Sequence, residues 1–222
     1  AAPAAAAAAA APGPGVFAGT WPALASIFVS EVGDKTFFVA ALLGMRRGKV
    51  MALTSSLAAL ASMTVISTAM GAVARRFPEW LNAGQGAVQL AAAACFVFFG
   101  LSSLAQARSA RQSAQEEREE ADGEVRELLR QGRGRWREWW QCALLVFLAE
   151  WADRSMIATV ALAAAWDPLG VVLGATLGHA LATSLAVYGA GMLHRYIDDA
   201  TAKVVGGVLF LAFAVTTLLG IY

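Results

Sequence analysis

Two hexapeptides place acids, a base and a hydroxyl inside apolar stretches of the chain. The first is Glu31-Val32-Gly33-Asp34-Lys35-Thr36 and the second is Glu150-Trp151-Ala152-Asp153-Arg154-Ser155, with the same order of residue types and the same internal spacing. On a continuous helix Glu31 and Asp34 project from one face, as do Glu150 and Asp153, so four carboxylates can converge. Six unpaired ionisable side chains at mid-membrane would cost on the order of 15–20 kcal/mol on insertion scales. They must therefore face one another, water or an ion. Lys35 and Arg154 stand four residues after Glu31 and Glu150, an order that favours ion pairs along a helix and offsets one acid in each motif. Each motif is then left with about one negative charge and the pair with about two.

A divalent cation matches that charge. Clustered carboxylates without thiolates suit hard, oxygen-seeking ions such as Ca2+, Mg2+ and Mn2+, with Thr36 and Ser155 as further oxygen donors. Crowded carboxylates also favour proton uptake when no cation is present. Metal and protons are thus expected to compete for Glu31, Asp34, Glu150 and Asp153. His179 reads either as a hydrogen-bonded packing residue or as a proton relay or metal ligand. Cys95 and Cys142 lie in or beside apolar runs and read as small hydrophobes, not as a disulfide framework.

The elements that must position these side chains follow from composition. The 222 residues are 58% hydrophobic and carry their charges in bunches, and the mean hydropathy is +0.58, the pattern of a polytopic helical membrane protein. Apolar runs extend over about 21–45, 50–74, 83–107, 139–165, 169–193 and 204–222. The fold expected is all-α and integral to the membrane, with six transmembrane helices. Hydroxyl residues from Ser55 to Thr68 in the second run, and Gly170, Gly174 and Gly178 in the fifth, suit close helix packing. His194 and Arg195 mark an interface beyond the fifth run. Trp151 and Trp166 read as packing and interface residues.

Of the 17 Lys and Arg, thirteen fall in the loops after the first, third and fifth runs. By the positive-inside rule those loops face cytoplasm or its equivalent, and both termini face the other side. Two runs lie between the first and fourth, an even number, so the runs that carry the motifs cross in opposite directions. Thr64 also matches Thr183, and Phe99-Gly100-Leu101-Ser102-Ser103-Leu104 resembles Phe213-Ala214-Val215-Thr216-Thr217-Leu218. The chain thus divides into a low-complexity segment 1–19, a three-helix repeat 20–107, a charged connection 108–138 and an inverted three-helix repeat 139–222. The connection reads as a solvated loop or short surface helix. Inverted repeats hold substrate near the midplane, and alternating access follows from exchanging the conformations of the halves. The expected partners are a divalent metal ion, protons and the bilayer, with no nucleic acid; a homo-oligomer or larger membrane complex stays open. No covalently bound cofactor is expected.

Two other readings stand beside transport. Val32-Gly33-Asp34 resembles part of an intramembrane aspartyl protease motif, but such enzymes need Gly-x-Gly-Asp and one acid held protonated. A structural subunit of a membrane complex is the other, although an inert scaffold gains nothing from midplane carboxylates.

At these residues the chain resembles the Gdt family of cation/proton exchangers, whose hallmark is a doubled Glu-x-Gly-Asp-Lys/Arg-Thr/Ser motif. The resemblance covers nearly all of residues 20–222. It implies exchange of Mn2+ and/or Ca2+ for protons, with Glu31, Asp34, Glu150 and Asp153 as ligands and no enzymatic activity. Ala152 stands where the family has glycine; it is small enough to keep the packing but removes backbone latitude, which weighs against local unwinding there. The run from Ala163 to Gly170, with Gly178-His179-Ala180 and Gly206-Gly207-Val208-Leu209-Phe210, looks most like the photosynthetic branch. With the Ala/Pro-rich start, that implies a chloroplast membrane, thylakoid or envelope, with basic loops in the stroma; Golgi and bacterial plasma membranes are the alternatives.

Overall fold

The computed structural model describes residues 18–80, 86–130, 134–189 and 199–219, and among them every regular element is an α-helix. The low-complexity residues 1–17, the interface pair His194 and Arg195, and the last three residues of the sixth run lie outside the described residues. The first apolar run is two helices, α1 (Thr20–Glu31) and α2 (Lys35–Arg47), and the second and third are α3 (Lys49–Trp80) and α4 (Gly86–Ala107). Helix α5 (Ala110–Arg130) forms in the charged connection. The fourth run is again two helices, α6 (Arg135–Glu150) and α7 (Arg154–Ala165), followed by α8 (Pro168–Gly189) and α9 (Asp199–Leu218).

Among the described residues four stretches, Lys49–Arg76, Gly86–Ala107, Pro168–Gly189 and Ala200–Leu218, are long and apolar enough to cross a membrane. The shorter helices of the first and fourth runs have 12, 13, 16 and 12 residues. Each rises only about 18–24 Å, less than the roughly 30 Å of a hydrocarbon core.

Contacts fix the directions of these rods. Along α8, Gly174 meets Thr20, Gly178 meets Leu24 and Phe28, and Val187 meets Gly44. Position advances together on both sides, so α1 and α2 run as one interrupted rod parallel to α8. Likewise Trp139 donates to Thr54 Oγ1 at 3.0 Å, Gly71 lies against Val160 and Ala163, and Arg75 donates to the Trp166 carbonyl. Helix α3 therefore runs parallel to α6 and α7. Helices α4 and α9 are antiparallel: Gln89 donates to the Thr217 carbonyl and Ser103 to that of Lys203, and Phe96 and Phe99 pack on Phe210 between them. The two interrupted rods are also antiparallel, since Gly19 lies beside Trp166 at one end and Arg47 pairs with Glu138 at 2.8 Å at the other.

Local chemistry explains these approaches. A Cβ at Gly178 would sit 2.9 Å from the Leu24 carbonyl oxygen, and one at Gly174 would overlap that of Thr20. Only glycine admits the α1 backbone so close. In α3 the hydroxyls turn back on their own helix: Ser55, Ser62, Thr64 and Ser67 donate to carbonyls four residues earlier at 2.7–2.8 Å. A polar side chain satisfied that way can be buried without a partner helix, and Ser55, Thr64 and Ser67 are buried.

The charged connection is a surface helix and not a loop, and it is longer than expected. Helix α5 has 21 residues and packs on α2. Ala110, Ala114, Ala121, Val125 and Leu128 recur at helical spacing and are buried, so an apolar stripe holds the helix down while Glu116, Glu119, Glu120, Arg126 and Glu127 face outward. Arg46 with Asp122 and Lys35 with Glu124 tie the two helices together at 3.6 and 2.6 Å.

Candidate functional site

Both interrupted rods break at the same three motif positions. Val32 is extended (ψ 116°), Gly33 has φ 82° and Asp34 is extended (ψ 167°). Trp151, Ala152 and Asp153 repeat this with ψ 120°, φ 63° and ψ 170°. Ala152 is the one positive-φ residue other than glycine among the described residues. The expectation that alanine weighs against unwinding here is thus corrected: the chain unwinds and accepts a left-handed alanine, at a cost of about 1–2 kcal/mol. Local bonds hold the turn, with Asp153 N–H donating to the Glu150 carbonyl at 3.0 Å and Ala152 N–H to Met156 Sδ at 3.3 Å.

The break changes how the acids meet. Glu31 and Glu150 end the first half-helices, and Asp34 and Asp153 cap the second ones. They converge because the rods are interrupted, not because they share a continuous helix face. The N-terminal ends of α2 and α7, where the helix dipoles are positive, lie at the two aspartates. Oxygens of Asp34, Glu150 and Asp153 lie within 4.8 Å of one another. Glu31 interacts electrostatically with all three. Glu31 and Glu150 are 4% and 1% exposed, which removes bulk water as their partner.

Thr36 donates to Glu31 Oε2 at 3.1 Å and Ser155 to Glu150 Oε2 at 2.5 Å. Each hydroxyl thus reaches the glutamate of its own motif across the break, and the Thr36 hydroxyl also acts on Glu150. His179 Nδ1 lies 3.6 Å from Glu31 Oε1, too far for a hydrogen bond. Glu150 Oε1 is buried without a hydrogen-bond partner, which leaves an acceptor open toward the cluster. An oxygen-only donor set with one open carboxylate oxygen fits a hard divalent ion.

The ion pairs expected within each motif do not form, because the break removes the continuous turn between the glutamate and the base four residues on. Lys35 pairs with Glu120 and Glu124 on α5 at 3.5 and 2.6 Å. Arg154 crosses to the other motif and binds Asp34 Oδ1 at 2.5 Å. With Lys35 withdrawn, Arg154 is the base in direct contact with the four carboxylates, and Lys203 acts on Asp34 from farther off. Trp151 is 54% exposed and Trp166 is buried, both apart from the acids. Cys95 and Cys142 are free thiols.

Sequence reasoning missed an outer group of polar residues. Gln106 of α4 accepts from Arg154 at 3.0 Å and from Lys203 of α9 at 3.3 Å. Lys203 in turn pairs with Glu117 of α5 at 3.5 Å. Burial near Asp34 pushes the Glu117 carboxyl up to about 7. A lone amide ending the third run was a signal for Gln106; nothing distinguished Glu117 from the other acids of its segment.

Helices that can cross a bilayer, interrupted where buried acids meet, define a helical membrane protein with an acid-lined centre. The chain belongs to the divalent cation/proton antiporter GDT1 family, whose model matches residues 19–111 and 138–222. That family is a transporter class, not an enzyme class, so the protease alternative has no support. The chain is 41% identical over 216 residues to the Arabidopsis thaliana protein PAM71-homolog, chloroplastic, covering 92% of this chain and 60% of that one. It is 39% identical over 215 residues to the chloroplastic GDT1-like protein 2 of Oryza sativa subsp. japonica, covering 92% and 62%. GDT1-like protein 3 of Oryza sativa subsp. indica is 41% identical over 214 residues, covering 92% and 75%. The chain thus spans about three fifths of the length of the first two relatives. No solved structure matches it.

Proposed function

We propose that this chain exchanges a divalent cation, Mn2+ and/or Ca2+, for protons across a membrane. The observation that carries the reading is the buried meeting of Asp34, Glu150 and Asp153, with their oxygens within 4.8 Å of one another and Glu31 beside them. Those four acids are the cation ligands, and protons replace the cation on the same oxygens. Thr36 and Ser155 position Glu31 and Glu150 rather than ligating directly, and His179 packs against Glu31.

Six crossings in two inverted repeats accommodate this chemistry, counting each interrupted rod as one crossing. The antiparallel run of the two rods and their matching breaks support that count. Rocking one repeat against the other exposes the cluster to each side in turn. The basic loops face the stroma or cytoplasm and the termini the opposite side. The chloroplastic relatives favour a chloroplast membrane for this chain.

Purified protein in liposomes tests the reading. Mn2+ or Ca2+ is expected to drive proton release, measured with a trapped pH dye and titrated against Mg2+. Glu31→Gln together with Glu150→Gln is expected to abolish it. Unchanged proton-coupled uptake in that double variant would refute the assignment of these acids.

A further inference from the structure

We propose that Arg154 is a tethered cation that holds Asp34 when no divalent ion is bound and transfers to Glu117 of α5 when the ion arrives, making Glu117 a positioning residue for cation binding. The inference rests on the exchange reading above and adds a residue to it. Glu117 itself lies outside the residues that the family model matches, which stop at 111 and resume at 138.

Arg154 cannot stay where it is while a divalent ion binds. Its guanidinium occupies Asp34 Oδ1 at 2.5 Å, and Asp34 is one of the three acids whose oxygens converge. An ion entering there loses part of a ligand to Arg154 and is repelled by a positive charge within a few ångströms, where little water screens it. The guanidinium must move, and a charged group this deep needs an acceptor at its destination.

Two acceptors are in place. Gln106 Oε1 already takes a second hydrogen bond from Arg154 at 3.0 Å, and can hold that end of the fork while the other swings. Glu117 lies close enough for its charge to interact with both Arg154 and Asp34. One of its oxygens pairs with Lys203 Nζ at 3.5 Å. The other, Oε2, is buried and has no hydrogen-bond partner. A buried carboxylate oxygen left open is costly unless some state of the protein fills it, and Arg154 is a cation with a reason to leave its present partner. Helix α5 is held in position for this by its apolar stripe and by Lys35 on Glu124.

The test compares Glu117→Gln, Arg154→Gln and the double variant in proteoliposomes, reading Mn2+-driven proton release. Without the Glu117 charge, Arg154 stays on Asp34, so the Mn2+ KM is expected to rise about tenfold while the maximal rate holds within about twofold. In the Arg154→Gln background the added Glu117→Gln change is expected to shift KM by less than about twofold. A KM unchanged by Glu117→Gln, a fall in maximal rate alone, or a shift that persists without Arg154 overturns the transfer. If Glu117→Gln does not fold, Glu117→Asp keeps the charge but withdraws it by one methylene, and a KM rise of about threefold supports the transfer while none overturns it. If the unmodified protein gives no cation-driven proton flux, the exchange reading fails instead; if it does and Glu117→Gln matches it, only the transfer fails.

Discussion

Arg154 of the second motif reaches Asp34 of the first at 2.5 Å, whereas Lys35, which holds the same motif position in the first half, is drawn 2.6 Å from Glu124 on α5. Equivalent residues therefore do different work. One closes on the acid cluster and the other fastens a helix outside it.

Removing the closing charge gives a direct consequence. Arg154→Gln takes a competitor off Asp34, so the apparent KM for Mn2+ is expected to fall, by about tenfold if the lost pair is worth about 1.4 kcal/mol. Turnover is expected to fall with it, because an uncompensated acid cluster releases its ion slowly. Initial-rate kinetics in proteoliposomes separate the two effects. A raised KM at unchanged turnover would show that Arg154 assists cation binding instead.

The backbone at the second break yields a stability prediction. Ala152 sits at φ 63°, and its counterpart Gly33 at φ 82°. Ala152→Gly relieves about 1–2 kcal/mol of left-handed strain and gives back about 0.4–1 kcal/mol through the freer unfolded chain. A modest net gain is expected in thermal unfolding of detergent-solubilised protein. Ala152→Val, β-branched in the same region, is expected to lose about 2 kcal/mol or more. Equal melting of the three proteins would mean that this turn carries no strain.

The sequence made four helices readable because Lys49–Arg76, Gly86–Ala107, Pro168–Gly189 and Ala200–Leu218 are continuous apolar runs, and hydropathy records continuity directly. The breaks in the other two runs left only a faint trace. Gly33 was read as part of a continuous helix, and Ala152 argued against a break, since alanine favours helix and its strain is offset by bonds that exist only in the folded chain. The four acids were legible from their cost in hydrocarbon. Their partners were not, because a four-residue spacing implies an ion pair only where the helix between the two residues is unbroken. Glu117 could not be found at all: its neighbours Lys203, Arg154 and Asp34 come from three other helices.

Glu117 also carries a pH signature. Burial first, and then the nearby Asp34 charge, push its carboxyl from the ordinary 4.5 to about 7, against the opposing pull of Lys203 and Arg154. An acid whose folded value is raised favours the folded state below its unfolded value and loses that contribution as pH rises through the folded one. Stability from this group is therefore expected to decline between about pH 4.5 and 7. Infrared titration is expected to show a protonated carboxyl band fading near pH 7 that Glu117→Gln removes. Lys203→Gln is expected to move the midpoint upward, because it deletes a positive charge that favours the ionised form. A downward shift would contradict the pairing.

The hydroxyls across the breaks allow a test that couples the fold to the cargo. Ser155 donates to Glu150 Oε2 at 2.5 Å, and the other oxygen of that carboxylate is already buried without a partner. Ser155→Ala removes the hydrogen bond to Oε2 and leaves Glu150 with no donor but the Thr36 hydroxyl, at a cost of about 1–3 kcal/mol when no cation is bound. A divalent ion on Glu150 supplies what the hydroxyl did. Saturating Mn2+ is therefore expected to raise the melting temperature more in Ser155→Ala than in the unmodified protein, and Ser155→Thr is expected to behave like the latter. Thr36→Ala is expected to follow the same pattern with a smaller amplitude, since Thr36 holds Glu31 at 3.1 Å rather than 2.5 Å. Equal Mn2+ stabilisation in Ser155→Ala and the unmodified protein would place the cation away from Glu150, and with it away from the junction of the two interrupted rods.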